Sequence, residues 1–513
     1  MGNGINSKQI GKNTLLLYFR MFVVILVGLY TSRVVLNTLG VSDFGLYNLV
    51  GGIVSMASFF NTAMVAATQR FLAYEIGRSD EGRLSKVFCT SINIQVIIII
   101  LVIIIAETLG LWFVNSKLNI PPDRIVAANW VFQASIVSFA INVLSLPYNS
   151  AIVAHEKMSA FAYISILDVG LKLLIVFLLP LFAFDRLIFY SILIVCVTLI
   201  IRLCYTIYCK RHFSECSYQL IIDKNLTKEM FAFSGWTMVG SLGFSFKDQI
   251  SNIILNLFFG TTLNAARSIG SQVSAHVKTF AMNFTMALNP QITKQYAAGN
   301  IEASKKLVYF GSRLSFCLLS VVAIPVILNV DYILQLWLGI VPEYTSQFVI
   351  FSIIVALIYT LSECVTKAIQ ATGHVKWFQI GVSLIVLSEL PIAWLFLKMG
   401  YPPYSVMWPS VLTYLIALVF RIWLIHRYLP EYNIKEYMSQ VVLRSIIVFV
   451  VSYGICSWFQ TTLSNTLWHL VLSVLFCVVT VLAISLAFGV TSNERELLFG
   501  YISKYVNIFK KSK

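Results

Sequence analysis

Residues 94–105 read IQVIIIILVIII, a run in which the one polar residue is Gln95. A bilayer core about 30 Å thick needs roughly 20 mainly apolar residues in a helix that crosses it. Mainly apolar residues on both sides of this run extend the predicted span to 88–113, with Asn93 and Glu107 among the exceptions. A transmembrane β-strand would show about 10 residues of alternating polarity, and this run is continuous. It therefore predicts a transmembrane helix.

Similar stretches recur along the whole 513-residue chain, which is 58% hydrophobic and 12% charged. Soluble globular proteins carry about 25% charged residues, so a water-exposed surface is excluded for most of this chain. We predict an all-α integral membrane protein with about 14 transmembrane helices. The predicted spans are 14–36, 46–68, 88–113, 125–147, 159–182, 187–209, 231–258, 264–289, 306–328, 344–369, 377–397, 405–426, 440–461 and 467–489.

The net charge is +15, and its distribution predicts the topology. With a cytoplasmic N-terminus, basic residues gather in the even-numbered loops and in both tails. The odd-numbered loops carry few: Lys117, Arg124, Arg186 and Lys398. Basic residues concentrate on the cytoplasmic side of membrane proteins, so both termini are predicted to be cytoplasmic. The positive charge then indicates topology and contact with anionic lipid headgroups, and no nucleic-acid partner is expected.

An internal repeat divides the chain. Residues 32–37 read SRVVLN and residues 251–256 read SNIILN, about 219 positions later. Arg202 and Arg421 correspond at the same offset. Spans one to six thus repeat as spans seven to twelve in the same orientation, which predicts two lobes related by a pseudo-two-fold axis along the membrane normal. Chance similarity between apolar stretches is the alternative. The predicted divisions are an N-lobe at 1–210, a C-lobe at 211–430, and spans thirteen and fourteen with a cytoplasmic tail at 431–513.

Polar residues recur every three or four positions in spans seven and eight, which places them on one face of each helix. Charges at this depth are costly and usually face a cavity or a partner. We predict a hydrated cavity between the lobes whose cations attract an anion such as a diphosphate. Interhelical hydrogen bonding and snorkelling of long side chains are the alternatives. The predicted substrate-binding residues are Arg33, Lys247, Asp248, Asn252, Arg267, Gln272, His276, Lys278 and Asn283.

Other charged residues within the spans have a different pattern. Two oppositely charged pairs are spaced i, i+4 and can pair directly, either as structural ion pairs or as a coupling-ion site. They are Asp168 with Lys172 and Glu363 with Lys367. Glu107 and Glu389 are candidate proton carriers. The sequence shows no phosphate-binding glycine loop, catalytic triad, CxxC pair or metal-ligand spacing. We therefore expect no cofactor, no metal and no enzymatic activity.

Several motifs resemble those of a known family. SRVVL at 32–36, LGVSDFGLY at 39–47, QRF at 69–71 and PYNSAIVAHEK at 147–157 resemble the signatures of Wzx-type polysaccharide flippases. These belong to the multidrug/oligosaccharidyl-lipid/polysaccharide exporter superfamily. The resemblance implies alternating-access transfer of undecaprenyl-diphosphate-linked oligosaccharide repeat units across the bacterial cytoplasmic (inner) membrane. Such transfer serves lipopolysaccharide O-antigen, capsule or exopolysaccharide biosynthesis. The resemblance also implies a polysaccharide polymerase and a chain-length regulator as partners.

The family's lobe-facing cations lie on spans one, two, seven and eight, which contain Arg33, Lys247, Arg267 and Lys278. Two alternatives remain within the superfamily. A lipid II flippase also has fourteen spans and a cationic cavity, whereas an ion-coupled multidrug antiporter usually has twelve spans and an acidic site. A membrane glycosyltransferase would need a large extracytoplasmic loop, and the sequence has no loop of that length.

Overall fold

The computed structural model describes residues 7–78, 81–155, 157–181, 184–221, 223–461, 466–491 and 494–495. Within these ranges every regular element is a helix. The α-helices are α1 Ser7–Leu39, α2 Val41–Ser55, α3 Ser58–Arg78, α4 Glu81–Ile105, α5 Leu111–Ser116, α6 Ile125–Ala154, α7 Met158–Leu178, α8 Arg186–His212, α9 Lys224–Phe259, α10 Thr261–Ala297, α11 Ile301–Leu328, α12 Val330–Leu338, α13 Thr345–Ala371, α14 Val375–Leu387, α15 Glu389–Lys398, α16 Trp408–Tyr428, α17 Ile434–Tyr437, α18 Arg444–Gln460 and α19 Leu467–Ile484. Short π-helical segments follow α4, α17 and α19.

Eleven helical segments of the described chain are long and apolar enough to cross a membrane. Three more segments are also long enough: 41–78, which is divided between α2 and α3, and the more polar helices α9 with 36 residues and α10 with 37. At about 1.5 Å per residue, α9 and α10 each exceed the thickness of the hydrocarbon core. Together these segments give the fourteen predicted spans, and the all-helical membrane fold is confirmed.

Two predicted spans are broken helices, which the hydropathy pattern did not indicate. The second span breaks between α2 and α3, where the Ser55 hydroxyl donates to the carbonyl of Gly52 at 2.8 Å. The eleventh breaks at Ser388, and Pro391 lies in the first turn of the helix that follows. Proline lacks a backbone N–H, so it is tolerated at the start of a helix and not in its interior.

Contacts group the chain into two compact units. The first comprises Met1–Ser268, Gln335–Tyr344 and Leu390–Val406, and the second comprises the rest. In the first unit, α6 packs against α2, α3, α4 and α8 around buried side chains such as Phe88 and Phe132. The predicted lobe boundaries at 210 and 430 stay a prediction.

In the second unit, α11 packs against α13, α18 and α19. Arg313 of α11 is 3% exposed, forms an ion pair with Glu494 and donates to the carbonyl of Gln440 at 3.2 Å. At the other end of α11, Asn329 accepts from Gln460 at 2.8 Å and donates to the Ser473 hydroxyl at 3.1 Å. The last two spans are therefore attached to α11 by polar contacts at both ends.

Candidate functional site

The helices of spans one and seven end in the same way. Helix α1 stops at Gly40, with φ of 80°, and α9 stops at Gly260, with φ of 77°. Residues with a Cβ rarely adopt this left-handed conformation, so glycine is the usual residue at such a helix end. Each glycine lets the chain reverse at once into the next helix. The stop follows closely after Asn37 in one repeat and Asn256 in the other.

These two asparagines make matching hydrogen bonds. Asn37 Nδ2 donates to the carbonyl of Leu338 at 2.9 Å, and Asn256 Nδ2 donates to the carbonyl of Asn119 at 3.2 Å. Asn256 Oδ1 also accepts from the backbone N–H of Asn119 at 2.9 Å. Leu338 lies at the repeat offset from Asn119. In each repeat, the end of the first span therefore binds a loop or short helix of the other repeat.

The starts of α2 and α10 also meet. The hydroxyls of Ser42 and Thr261 lie 3.0 Å apart and share a hydrogen bond. A Cβ added to Gly45 would lie 2.0 Å from the carbonyl oxygen of Thr261, so only glycine fits between these backbones. We call this set of contacts the outer seam, because the predicted topology places it on the extracytoplasmic side. It comprises Asn37, Ser42, Gly45, Asn119, Asn256, Thr261 and Leu338.

Arg33 lies beside the outer seam. Its guanidinium donates to the carbonyl of Leu336 at 3.2 Å, and the neighbouring Trp337 indole donates to the carbonyl of Leu29 at 2.8 Å. Arg33 thus links the C-terminal end of α1 to α12. Its predicted role as a substrate ligand is not tested by these contacts.

A buried cationic cluster lies on α9 and the first turns of α10. The side chains of Lys247 and Arg267 are each 6% exposed, whereas that of Asp248 is 66% exposed. Asp248 Oδ1 lies 3.5 Å from Lys247 Nζ and 3.8 Å from Arg267 Nη2. The sequence neighbours Lys247 and Asp248 point from different faces of an ideal helix, and they approach each other because the long lysine side chain can reach back to the carboxylate.

Backbone and amide groups fix the guanidinium of this cluster. Arg267 Nη1 donates to Asn252 Oδ1 at 2.6 Å and to the carbonyl of Asp248 at 3.0 Å. The buried Asn264 donates to the carbonyl of Asn252 at 2.8 Å. Of the predicted site residues, the structure brings four together: Lys247, Asp248, Asn252 and Arg267.

The cluster is connected to α2 through one glutamine. Asn252 donates to Gln249 Oε1 at 3.3 Å, and Gln249 Nε2 donates to the Ser55 hydroxyl at 3.2 Å. Gly52 leaves the room that this glutamine occupies, since a Cβ there would lie 2.1 Å from Gln249 Oε1. A polar path therefore runs from the cationic cluster to the break between α2 and α3.

The other predicted ligands belong to the second unit. Gln272, His276 and Lys278 lie along α10, and Lys278 Nζ lies 5.8 Å from the centre of the Tyr359 ring. The side chain of Asn283 lies outside the described part of the chain. Whether these residues bind substrate stays a prediction.

In each of the two i, i+4 pairs, the oppositely charged side chains lie close together. Lys172 Nζ lies 2.8 Å from Asp168 Oδ2, and Lys367 Nζ lies 3.7 Å from Glu363 Oε1. These distances suit a structural ion pair and do not decide whether either pair binds a coupling ion.

One ion network was not predicted. Arg124 binds Asp43 through Nε at 2.9 Å and Asp185 through Nη1 at 2.6 Å, which joins three odd-numbered loops. Burial acts to raise the pKa of Asp185, but hydrogen bonds from Arg124 and from two backbone N–H groups at the start of α8 outweigh it and hold the pKa below its usual value. The sequence showed Arg124 as an isolated loop cation. Ion pairs between loops that are distant in the chain leave no local pattern in the sequence.

The architecture matches known transporters. The MatE family model matches residues 237–395, from α9 to α15. The lipid II flippase MurJ in an inward closed conformation superposes with a TM-score of 0.68 and 13% identity, over 93% of this chain and 98% of MurJ. An inward-facing multidrug resistance MATE transporter of the MOP superfamily superposes with a TM-score of 0.67 and 10% identity, over 80% of this chain and 95% of its own.

A third similar structure is that of the MATE multidrug transporter DinF-BH, with a TM-score of 0.63 and 15% identity, over 83% of this chain and 97% of its own. No curated protein matches the sequence. At these identities the superpositions establish the fold, and the proteins that share it here are flippases and transporters.

Proposed function

We propose that this chain is a flippase of the Wzx type. It moves undecaprenyl-diphosphate-linked oligosaccharide repeat units from the cytoplasmic to the periplasmic leaflet of the bacterial cytoplasmic membrane by alternating access. The product feeds O-antigen, capsule or exopolysaccharide assembly, with a polysaccharide polymerase and a chain-length regulator as partners. Both termini are cytoplasmic. The fold shared with a lipid-linked substrate flippase supports this proposal, and the family motifs in the sequence support its choice of substrate.

The buried cationic cluster is the observation that carries the proposal. Lys247 and Arg267 are almost fully covered, whereas the carboxylate that both approach, Asp248, is largely exposed to solvent. Lys247 and Arg267 bring two positive charges to the cluster, and Asp248 brings one negative charge. An anionic group that binds beside Lys247 and Arg267 would be attracted by both cations. A diphosphate supplies such a charge, and a guanidinium and an ammonium are the side-chain groups that best recognise phosphate oxygens.

The glycan needs a hydrated route, and the polar spans can provide one. Helices α3, α9 and α10 carry polar residues along their whole length, unlike the apolar run of α4. Polar residues in membrane helices are usually shielded from lipid and line cavities or substrate paths. The sugar moieties would pass along these helices, and the polyprenyl tail would remain in the bilayer.

The outer seam supplies a gate in this proposal. It joins the extracytoplasmic ends of the two repeats through hydrogen bonds and one close backbone contact, without an ion pair among the seam residues of the described chain. Neutral hydrogen bonds contribute about 0.5–1.5 kcal/mol each. A small set of them can therefore be broken by the binding energy of one substrate. Release to the periplasm would require the seam to part.

A lipid II flippase is the second candidate, since its lipid carrier would need the same cations and the superposition with MurJ covers almost the whole chain. An antiporter for cationic drugs fits less well, because the charges of Lys247 and Arg267 exceed that of Asp248 and the cluster would repel a cation. The sugar recognised by the site separates the first two candidates.

Complementation tests the proposal. The chain is expressed in one strain that lacks its polysaccharide flippase and in another depleted of its lipid II flippase. We expect surface polysaccharide in the first strain and no growth rescue in the second. Rescue of the second strain alone would establish the lipid II function instead. Export that is unaffected by Lys247→Ala, the variant of this cluster described next, would remove the cluster as the binding site.

The variants are Lys247→Ala, Lys278→Ala and their combination, with Lys247→Arg as the control that keeps the charge. Loss of one charge-assisted contact to phosphate costs about 1.5–3 kcal/mol, or roughly a 10- to 100-fold loss of affinity. We expect reduced polysaccharide from each alanine variant at normal membrane abundance, and near-normal export from Lys247→Arg. Full export from the double alanine variant would contradict the assignment.

A further inference from the structure

A pocket of about 480 Å³ lies in the first unit, where the first turns of α4 meet the segment that leads into α9. Arg83 and Lys86 line it from α4, and Asp223 and Glu229 line it from the opposite wall. Two cations on α4 and two carboxylates at the start of α9 therefore line the same pocket. This arrangement differs from that of the buried cationic cluster, where cations exceed carboxylates.

The walls of the pocket are fixed by contacts within the first unit. Arg83 Nε lies 3.0 Å from Oε1 of Glu75, which is 2% exposed. Asp223 accepts from the backbone N–H of Leu226 at 2.9 Å and caps α9. Asn93 of α4 donates to the carbonyl of residue 221 at 2.7 Å and holds the incoming segment against the helix. A ligand would find these groups already in position.

The pocket lies at the level of the lipid headgroups. Lys86 directly precedes the long apolar part of α4, and at 100° per residue it shares a helix face with Ile97 and Ile104. Those isoleucines are 58% and 56% exposed and present an apolar surface to the bilayer. In the segment before α9, Leu220 is 77% exposed, as expected for a residue that inserts into the membrane surface. The positive-inside pattern assigns this end of α4 to the cytoplasmic leaflet.

We propose that this pocket binds the headgroup of an ethanolamine-type zwitterionic phospholipid from the cytoplasmic leaflet. Arg83 and Lys86 take the phosphate, since both cations are phosphate ligands. Asp223 and Glu229 take the primary ammonium, which offers three hydrogen-bond donors. A purely anionic headgroup would gain the two cations but face the two carboxylates without compensation. Choline headgroups lack N–H donors for the carboxylates.

Native mass spectrometry of the full-length protein tests this site. The protein is released from detergent in the presence of equal amounts of phosphatidylethanolamine, phosphatidylglycerol and phosphatidylcholine, and the retained lipids are counted. The variants are Lys86→Ala and Glu229→Gln. Lys228→Ala is the matched control, because Lys228 lies beside Glu229 on an exposed turn and is not among the residues that line the pocket. Gel-filtration profiles establish that each variant is folded.

We expect the parent protein to retain phosphatidylethanolamine in preference to the other two lipids. Lys86→Ala should lower its retention about tenfold, the effect of losing one charge-assisted contact, and Lys228→Ala should leave it unchanged. Glu229→Gln should reduce phosphatidylethanolamine and increase phosphatidylglycerol, because the pocket loses one of the two carboxylates that bind the ammonium and repel an anionic headgroup. Equal or higher retention of phosphatidylglycerol or phosphatidylcholine by the parent protein would overturn the proposal. So would unchanged lipid retention in both pocket variants.

Discussion

Gly45→Ala is the sharpest structural perturbation of the outer seam. The added Cβ would stand 2.0 Å from the carbonyl oxygen of Thr261 and close to the backbone N–H of Ala265. Carbon–oxygen contacts between packed helices lie at about 3.3 Å or more, so α2 and α10 would have to separate by about 1.3 Å. The obstacle is backbone, which cannot rotate away as the end of a flexible side chain can.

The expected cost follows from this clash. Overpacking of a tight site costs about 1–3 kcal/mol, and replacing glycine by alanine in a helix returns about 0.5–1 kcal/mol through propensity. Gly51→Ala is the matched control, because it lies on the same helix and its Cβ would meet only the Ser135 hydroxyl at 3.4 Å. Gly51→Ala should therefore gain the propensity term and avoid the clash.

The assay is thermal unfolding of the purified protein in detergent, together with complementation of the flippase-deficient strain. We expect Gly45→Ala to be less stable than Gly51→Ala by about 1–3 kcal/mol and to export less polysaccharide. If Gly45→Ala were as stable and as active as Gly51→Ala, the close approach of α2 and α10 would not contribute to the seam.

Three further predictions concern the two asparagines of the outer seam, the ion pair of Arg313 and the carboxylate of Asp185. Asn256→Leu should lower the free energy of unfolding by about 1–3 kcal/mol, because it leaves a backbone N–H and a carbonyl unpaired. Asn37→Leu should cost less in the same thermal unfolding assay, because Asn37 is exposed and Asn256 is buried. Arg313→Leu should destabilise the protein by about 3–5 kcal/mol, and the double variant with Glu494→Leu should recover part of that loss; no recovery would show that the ion pair is not the cause. Since the pKa of Asp185 is depressed, its stabilising effect should be present above the unfolded value near 4 and fall away as the pH drops through the folded pKa. A pH series of unfolding temperatures should show a shallower acid-side loss for Asp185→Asn, and an unchanged slope would contradict this role.

Hydropathy was sufficient to predict the helices but not their interruptions. Runs such as 94–105 define spans because lipid demands a continuous apolar surface, whatever the neighbours are. At the break between α2 and α3, Ser55 bonds to the carbonyl of Gly52 and to Gln249 of α9, and a composition average over 20 residues cannot detect either contact.

The candidate site was predicted in part. Cations and polar residues at helical spacing pointed to Lys247, Asp248, Asn252 and Arg267, which the structure brings together. The outer seam was missed, although its signal was present: the matching segments at 32–37 and 251–256 both end in asparagine. An exact match of polar residues inside apolar repeats indicates a shared contact as well as duplication. The carboxylates that pair with Arg124 could be identified only from the tertiary structure.

The two asparagine contacts of the outer seam are unequal, which affects how the seam would part in the proposed transport cycle. Asn256 is fully buried and makes two hydrogen bonds to Asn119, whereas Asn37 is exposed and makes one to Leu338. Water can replace the bond of Asn37 at little cost, while that of Asn256 must be broken in a dry environment. We therefore expect the Asn37–Leu338 contact to break first and the helices to rotate about the Asn256–Asn119 contact, which breaks later. A cysteine at position 37 should then be labelled before a cysteine at position 256.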